Sequence, residues 1–292
     1  MQQIVPHLWF DKEATEAATF YASLFRHSKV NSVSTITDTP SGDCGIVSFA
    51  LAGQDFMAIS AGPVFKFNPS ISLFTVFDDA VEIDAVWNKL VQGGKVLMPY
   101  QAWPWAKKYG WLEDKYGLSW QLSMSEPHEV SQKITPLLMY TGPVTGKAKE
   151  AIEFYAGIFP NSKVDMLTAY GKGEGDHPGF LKHARFRLCG QRFMAMDSSL
   201  QHGFNFNEAI SLLVLCNSQQ EIDRYWTALS ADPKAEQCGW LKDKYGVSWQ
   251  IAPHIMQDML SKGTEDQKKR VTQVFLKMKK FDIATLKKAF EG

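Results

Sequence analysis

The segment Gly110-Trp-Leu-Glu-Asp-Lys-Tyr-Gly-Leu-Ser-Trp-Gln-Leu122 occurs twice in this chain of 292 residues. The second copy reads Gly239-Trp-Leu-Lys-Asp-Lys-Tyr-Gly-Val-Ser-Trp-Gln-Ile251, and ten of its thirteen positions are identical to the first. Residues 53–59 match residues 190–196 in the same way. Self-similarity at a long spacing indicates a repeated structural unit, so the chain is predicted to contain two copies of one domain.

The repeat sets the domain boundaries. We assign the first domain to residues 1–125, the second to residues 133–253 and a helical C-terminal extension to residues 254–292. The polar stretch from Ser125 to Gln132 is the predicted linker. At about 150 residues per domain, the length of the chain also predicts two domains.

Each half alternates strand and helix patterns. An apolar run at residues 4–10 is followed, from Ala14 to Phe25, by apolar side chains at the spacing of one buried helical face. Strand patterns follow at residues 28–36, 45–52 and 54–60. The chain is therefore predicted to have an α+β fold with two β-α-β-β-β units in each half. The helices should cover one face of a curved mixed sheet, and the other face should enclose a cavity.

Charge and composition exclude several classes of protein. The chain has 31 Lys+Arg, 31 Asp+Glu and 45% apolar residues, without the basic excess that nucleic-acid binding needs. No apolar run approaches the roughly 20 residues that span a bilayer, so no membrane partner is expected. Residues 262–292 carry a net charge of +5 and the rest of the chain −5. The capping box Thr264-x-x-Gln267 predicts that this tail forms amphipathic helices packed on the body.

The cysteines and the start of the chain indicate the compartment. The four cysteines show no CxxC spacing and no histidine at zinc-finger distance, so reduced thiols are expected. The opening Met1-Gln2-Gln3-Ile4 lacks the basic region and apolar core of a signal peptide. Both observations predict a cytoplasmic protein.

Several short motifs carry a resemblance to a known family. They are Val5-Pro-His-Leu-Trp-Phe10, Phe20-Tyr21, Phe56-Met-Ala58, Phe67-Asn68, Ile71-Ser72 and Asp114-Lys-Tyr-Gly-Leu-Ser-Trp-Gln121. Through them the chain resembles the PhnB-like, 3-demethylubiquinone-9 3-methyltransferase-like branch of the glyoxalase/bleomycin-resistance/dioxygenase (vicinal oxygen chelate) superfamily. The resemblance covers both halves and the tail. It implies tandem glyoxalase-like domains, each a cup of two β-α-β-β-β units.

The resemblance also implies a site inside the cup. Most enzymes of the superfamily hold a divalent metal there, bound by His and Glu side chains of the first and last strands, and the metal acts as a Lewis acid. His7 stands at a first-strand position, Gln121 at a last-strand position and Ser72 at the first-strand position of the next unit. The fourth position lies between Met57 and Ser60. His7 and Gln121 are therefore the candidate metal ligands or catalytic groups, and they are expected to converge with Ser72 on one point.

The donor set argues against a complete metal site. One histidine with an amide and a hydroxyl is a poor ligand set for a divalent cation, which prefers carboxylates or several imidazoles. In the second half Leu137 replaces the histidine, which leaves Ser211, Gln250 and Asp197 as candidate ligand contacts. The sequence therefore predicts either no cofactor or a divalent metal ion in the first domain alone.

One loop differs between the halves. Residues 99–110 are rich in aromatic side chains, whereas the second half is shortened to residues 232–239 at this place. Aromatic surface with a few polar groups is typical of a small-molecule pocket. The remaining candidate ligand-binding residues are Trp103, Trp105, Lys107 and Tyr109 in this loop, and Trp9 and Ser119 on inward-facing strand positions.

Two functions are compatible with such a site. The first is a metal-free binding protein of the bleomycin-resistance kind, which holds a small molecule between aromatic walls. The second is a metal-dependent lyase, isomerase or transferase that acts at His7 and Gln121 on a small oxygen-rich or aromatic substrate. The poor donor set favours binding. The two halves are predicted to pack as an internal pseudo-dimer, and the sequence leaves open whether the whole chain forms a homodimer.

Overall fold

A computed structural model describes residues 3–39, 42–124 and 132–292 of the protein. The first half contains β1 (Ile4–Phe10), α1 (Ala14–Ala22), β2 (Lys29–Thr39), β3 (Gly42–Leu51), β4 (Gln54–Ser60), β5 (Ile71–Phe77), α2 (Ala80–Leu90), β6 (Lys95–Trp103), β7 (Ala106–Glu113) and β8 (Ser119–Met124). Except for Gln132, the predicted linker lies outside the described residues.

The second half follows the same order but has one strand fewer in its last unit, which is β-α-β-β instead of the predicted β-α-β-β-β. It contains β9 (Ile134–Tyr140), α3 (Ala148–Ile158), β10 (Lys163–Ala169), β11 (Leu181–Leu188), β12 (Gln191–Asp197), β13 (Ile210–Cys216), α4 (Gln219–Leu229), β14 (Trp240–Lys242) and β15 (Ser248–Pro253). The tail forms α5 (Ile255–Lys262), α6 (Glu265–Phe275) and α7 (Ile283–Glu291). We number the repeated units in chain order: unit 1 is β1–β4, unit 2 is β5–β8, unit 3 is β9–β12 and unit 4 is β13–β15.

The four units form two mixed sheets, and each sheet takes one unit from each half. Within the described residues, sheet A has the strand order β14-β15-β13-β1-β4-β3-β2, and sheet B has the order β10-β11-β12-β9-β5-β8-β7-β6. Units 1 and 4 therefore share sheet A, and units 2 and 3 share sheet B. The α+β fold of repeated units agrees with the sequence prediction. The partner of each unit differs from the expected one, because units pair across the halves.

Two antiparallel strand pairs join the halves at equivalent positions. In sheet A, β1 pairs with β13 and His7 lies opposite Ser211. In sheet B, β5 pairs with β9 and Ser72 lies opposite Leu137. These central strands are buried on both faces, which explains their nearly continuous apolar sequences. The halves thus form an internal pseudo-dimer through continuous sheets.

One apolar core joins all four units. Helices α1 to α4 pack on one face of the sheets, and the side chains between them belong to a single cluster. Its largest fully buried members are Trp120 and Trp249, one from each copy of the repeated segment. Phe25 stacks on Trp120 with ring centroids 6.0 Å apart, and Phe159 stacks on Trp249 at 5.2 Å. The opposite faces of the curved sheets are concave.

A buried aspartate in the repeated segment fixes neighbouring units to each other. The carboxylate of Asp114 accepts hydrogen bonds from the backbone N–H groups of Tyr116 (2.8 Å) and Leu118 (3.1 Å), which closes the turn. It also accepts from Tyr21 Oη on α1 (2.7 Å) and from Trp120 Nε1 (2.9 Å). The segment therefore anchors unit 1 on unit 2. Asp243 makes the same four contacts between units 3 and 4, with Tyr155, Tyr245, Val247 and Trp249.

The C-terminal tail packs on unit 4. Helix α6 begins with the predicted capping box, in which Thr264 Oγ1 accepts from the Gln267 backbone and Gln267 Oε1 accepts from the Thr264 backbone. The backbone N–H of Cys238 donates to Met278 O at 2.8 Å, which ties the tail to the loop before β14. Within the described residues, no helix has the length and apolar character needed to cross a membrane.

Candidate functional site

His7 lies at the centre of the concave face of sheet A. The strand register places Ser211 of β13 on one side of His7 and Met57 of β4 on the other. Gln250 of β15 donates from Nε2 to Ser211 Oγ at 2.8 Å. Side chains from both halves therefore form this site.

The predicted convergence of His7, Ser72 and Gln121 does not occur. His7 lies in sheet A, whereas Ser72 and Gln121 lie in sheet B. The pairing of units across the halves separates them, because the strand beside β1 is β13 rather than β5. We therefore correct the prediction that His7 and Gln121 act together as metal ligands or catalytic groups.

His7 is a buried and uncharged imidazole. It is 5% exposed, and its Nδ1 has no hydrogen-bond partner among the described residues. Trp240 packs edge-on against the ring, with centroids 5.7 Å apart. Trp9 contacts Trp240 at 6.0 Å and Phe65 at 5.0 Å. Burial lowers the pKa of His7 to about 3, so the ring is neutral near pH 7.

These residues do not fit the divalent metal site that the superfamily fold implies. At the four positions where the superfamily holds its metal ligands, sheet A offers one imidazole, one thioether, one hydroxyl and an amide that already binds Ser211. Sheet B offers Ser72, Gln121, Leu137 and Met194 at the equivalent positions. In the part of the chain that the structure describes, no three His, Cys, Asp or Glu side chains form a metal-binding group. Divalent cations prefer carboxylates or several imidazoles, which neither face supplies.

The concave face of sheet B carries a buried chain of hydrogen bonds. Tyr109 Oη donates to Gln121 Oε1 at 2.8 Å, and Gln121 Nε2 donates to Ser72 Oγ at 2.8 Å. Trp111 Nε1 donates to Ser119 Oγ at 2.7 Å. Burial raises the pKa of Tyr109 well above its ordinary value, so the phenol keeps its proton. Gln121 thus orients Tyr109 and Ser72.

A continuous row of rings runs from solvent onto this face. Trp105, in the turn between β6 and β7, is 63% exposed and stacks on Trp103 with centroids 5.1 Å apart. Trp105 contacts Tyr109 at 6.2 Å, Tyr109 contacts Phe74 at 6.4 Å, and Phe74 contacts His183 at 6.3 Å. Strands β5 and β11 are three strand spacings apart, about 14 Å in a flat sheet. The contact between Phe74 and His183 therefore reflects a strongly curved sheet.

The predicted ligand-binding residues divide between the two faces, except for one. Asp197 accepts hydrogen bonds from the backbone N–H groups of Ala148 (3.1 Å) and Leu181 (2.8 Å) on the helix side of sheet B. Its carboxylate anchors the start of α3, which corrects the prediction that it contacts a ligand. Sheet B holds Ser72, Trp103, Trp105, Tyr109, Ser119 and Gln121, with exposed Lys107 on β7, and sheet A holds His7, Trp9, Ser211 and Gln250.

Comparison with known proteins identifies the family. The family profile for 3-demethylubiquinone-9 3-methyltransferase matches the chain twice, over residues 2–123 and 132–252. The chain belongs to the 3-demethylubiquinone-9 3-methyltransferase family. The two matches confirm that this family member is a tandem repeat. A comparison with curated sequences finds no match.

Several solved structures are similar to parts of this chain or to most of it. A Bacillus cereus protein described as a PhnB protein of the same family is 40% identical, over 42% of this chain and 100% of that one, with a TM-score of 0.40. A Staphylococcus aureus protein is 31% identical over 43% and 98% of the two chains, with a TM-score of 0.19. Glyoxalase I of Zea mays is 11% identical over 87% and 94%, with a TM-score of 0.56. The maize structure shows that this 3-demethylubiquinone-9 3-methyltransferase family member has the glyoxalase-like, vicinal oxygen chelate fold.

Sequence interpretation missed the residues that unit 3 brings to the site of this family member. Leu137, Met139 and Met194 form an apolar floor on sheet B, against which Phe74 and Trp111 pack. A signal was present on β11, where polar His183, Arg185 and Arg187 alternate with buried Ala184, Phe186 and Leu188. The alternation marks a strand with a polar concave face.

Replacing His7 should make this family member less sensitive to acid. A histidine with a folded pKa of about 3 binds a proton in the unfolded chain, near pH 6.5, before it does so in the folded chain. The contribution of neutral His7 to the free energy of unfolding is therefore fully present above pH 6.5 and is lost as the pH falls toward 3. Between pH 7 and pH 4.5, His7→Leu should lose about 2 kcal/mol less free energy of unfolding than the unmodified chain.

Urea titrations at both pH values measure this, with exposed His177→Leu as the control. Equal losses in His7→Leu and the unmodified chain would contradict the burial of His7.

Proposed function

We propose that the protein binds a small molecule with an apolar or aromatic part on the concave face of sheet B, without a divalent metal. The row of rings from exposed Trp105 to His183 carries this proposal. Small-molecule sites combine apolar and aromatic walls with a few well-placed polar groups. On this face the polar groups are Tyr109 and its partners Gln121 and Ser72.

Sheet A is the weaker candidate because its concave side is filled by the protein itself. Trp240 covers the ring of His7, and Ser211 and Ser248 are fully buried. Gln257 of α5 reaches this side and donates to Met57 Sδ at 3.7 Å. A ligand at His7 would have to displace these side chains.

A metal-dependent enzyme at His7 is the second candidate. The unpartnered Nδ1 of His7 favours it, because a neutral imidazole nitrogen can bind a cation. Metal analysis of protein purified without chelators, compared with His7→Ala, separates the two functions. Stoichiometric divalent metal that disappears in His7→Ala would support the enzyme and contradict our proposal. We expect no stoichiometric metal in either sample.

Removing Trp105 should weaken binding of a neutral aromatic probe. For benzyl alcohol we expect the affinity of Trp105→Ala to fall about two- to tenfold, because an aromatic contact contributes about 0.5–1.5 kcal/mol beyond area burial. Isothermal titration calorimetry measures the change. Val64→Ala removes a similarly exposed apolar side chain, 66% against 63%, outside sheet B and should bind as the unmodified chain does. Unchanged affinity in Trp105→Ala, or no probe binding at all, would exclude the row of rings as the site.

A further inference from the structure

Three arginines line a small cavity on sheet B. The cavity has a volume of about 230 Å³ and is lined by Arg185, Arg187, Arg192 and Asp165. Arg185 and Arg187 lie two residues apart on β11 and so share the face of His183. Arg192 of β12 is directly opposite Arg187. Guanidinium groups around one small space are suited to bind an oxyanion.

Arg185 carries a buried donor that makes no hydrogen bond with the described residues. Its Nη2 contacts the sulfur of Met166 at 3.5 Å, and its Nε is buried with no partner among the described residues. Arg187, in contrast, donates from Nε to Asp165 at 2.8 Å. Leaving a buried N–H of a charged group without an acceptor costs free energy. An oxyanion in the cavity would supply that acceptor.

The arginine cluster adjoins the apolar floor and the row of rings. Arg185 lies opposite Met194 across β11 and β12, and Met194 packs with Leu137. His183, two residues before Arg185, contacts Phe74. Burial and the charge of Arg185 lower the pKa of His183 to about 4, so His183 adds no positive charge near pH 7. A cationic end and an apolar surface thus lie side by side on one face.

We propose that Arg185, with Arg187 and Arg192, binds the oxyanion of a small amphipathic ligand, a carboxylate or a phosphate ester, whose apolar part lies on the row of rings. This rests on the proposed function of sheet B and adds the chemical class of the ligand. A planar guanidinium binds two oxygens of such an anion at once, which fixes direction as well as affinity. The anion then lies at β11 and β12, and the apolar part points toward Phe74 and Tyr109.

Calorimetric titrations with benzoate, phenyl phosphate and benzyl alcohol test the proposal. At least one anion should bind about tenfold or more tightly than benzyl alcohol, and the tighter anion distinguishes carboxylate from phosphate. Arg185→Met keeps the length of the side chain and should weaken anion binding about ten- to hundredfold, without changing the affinity for benzyl alcohol. Lys182→Met is the matched control, because Lys182 is an exposed cation on the same strand, does not line the arginine cavity and pairs with Glu174. It should leave all three affinities unchanged.

The outcomes separate this proposal from the proposed function. Equal affinities for benzyl alcohol and both anions, or an Arg185→Met variant that binds the anions normally, would overturn the anion site and leave sheet B as an apolar binding face. No saturation by either anion near about 10 mM would also overturn it. Anion binding that is lost in Arg185→Met, together with benzyl alcohol binding that Trp105→Ala leaves unchanged, would keep the anion site and contradict the row of rings. If Arg185→Met fails to fold, Arg185→Lys retains the charge without bidentate geometry and should still weaken anion binding.

Discussion

Asp114→Asn is expected to lower the free energy of unfolding by about 3 kcal/mol, because it breaks a buried network that holds unit 1 on unit 2. The amide oxygen can still accept from the backbone N–H groups of Tyr116 and Leu118, which leaves the NH₂ group facing Tyr21 and Trp120. The tyrosine hydroxyl can rotate and accept. The indole N–H of Trp120 cannot, so a buried donor loses its partner.

Thermal and urea unfolding measure this effect. A loss of about 3 kcal/mol corresponds to a fall in Tm of roughly 5–10 °C in a chain of this size. Asp243→Asn should behave alike, since its four contacts repeat those of Asp114. Tyr21→Phe removes a single bond and should cost only about 1 kcal/mol. Asp258→Asn is the control, because Asp258 makes an exposed ion pair with Lys262. Equal stability of Asp114→Asn and this control would show that the network does not hold the units together.

The repeated segment shows which structural features the sequence could predict and which it could not. Its identity in both halves predicts the repeat, because a repeat is visible in the local sequence alone. The role of Asp114 was missed because its partner Tyr21 is 93 residues away. The matched pairs Tyr21–Asp114 and Tyr155–Asp243 were a usable signal, since both residues of each pair recur at corresponding positions of the repeat.

The partners of the units could not be predicted for a different reason. Strand alternation correctly places His7 and Gln121 on concave faces, but it does not identify the neighbouring strand. Ile71-Ser72 at the start of β5 and Ile210-Ser211 at the start of β13 are identical, so local sequence makes either strand a suitable partner for β1. Whether β1 pairs with β5 or with β13 depends on chain connectivity and on the docking of α1 through α4. The periodicity of the sequence carries no information about either.

That ambiguity predicts the behaviour of the first half alone. Expressed by itself, the fragment of residues 1–131 should form a homodimer instead of a folded monomer. In the full chain β1 pairs with β13 and β5 pairs with β9, so removal of the second half leaves two apolar strands with unpaired edges. Unpaired apolar edges drive association with another chain. The repeat offers the solution: β1 of one copy can pair with β5 of the other, twice, around a two-fold axis.

Light scattering coupled to size-exclusion chromatography measures the mass of the fragment, and this mass should be twice that of one copy. The midpoint of its thermal unfolding should rise with protein concentration. Mixing it with residues 132–292 should instead give a one-to-one complex, because the native pairs β1–β13 and β5–β9 become available again. A monomeric fragment that unfolds cooperatively would show that each half completes its own sheet. In the homodimer, Ser72 and Gln121 of one copy would take the places of Ser211 and Gln250 beside His7 of the other. The grouping of His7, Ser72 and Gln121 that the sequence suggested would then form between two chains, because β1 of one copy would lie beside β5 of the other.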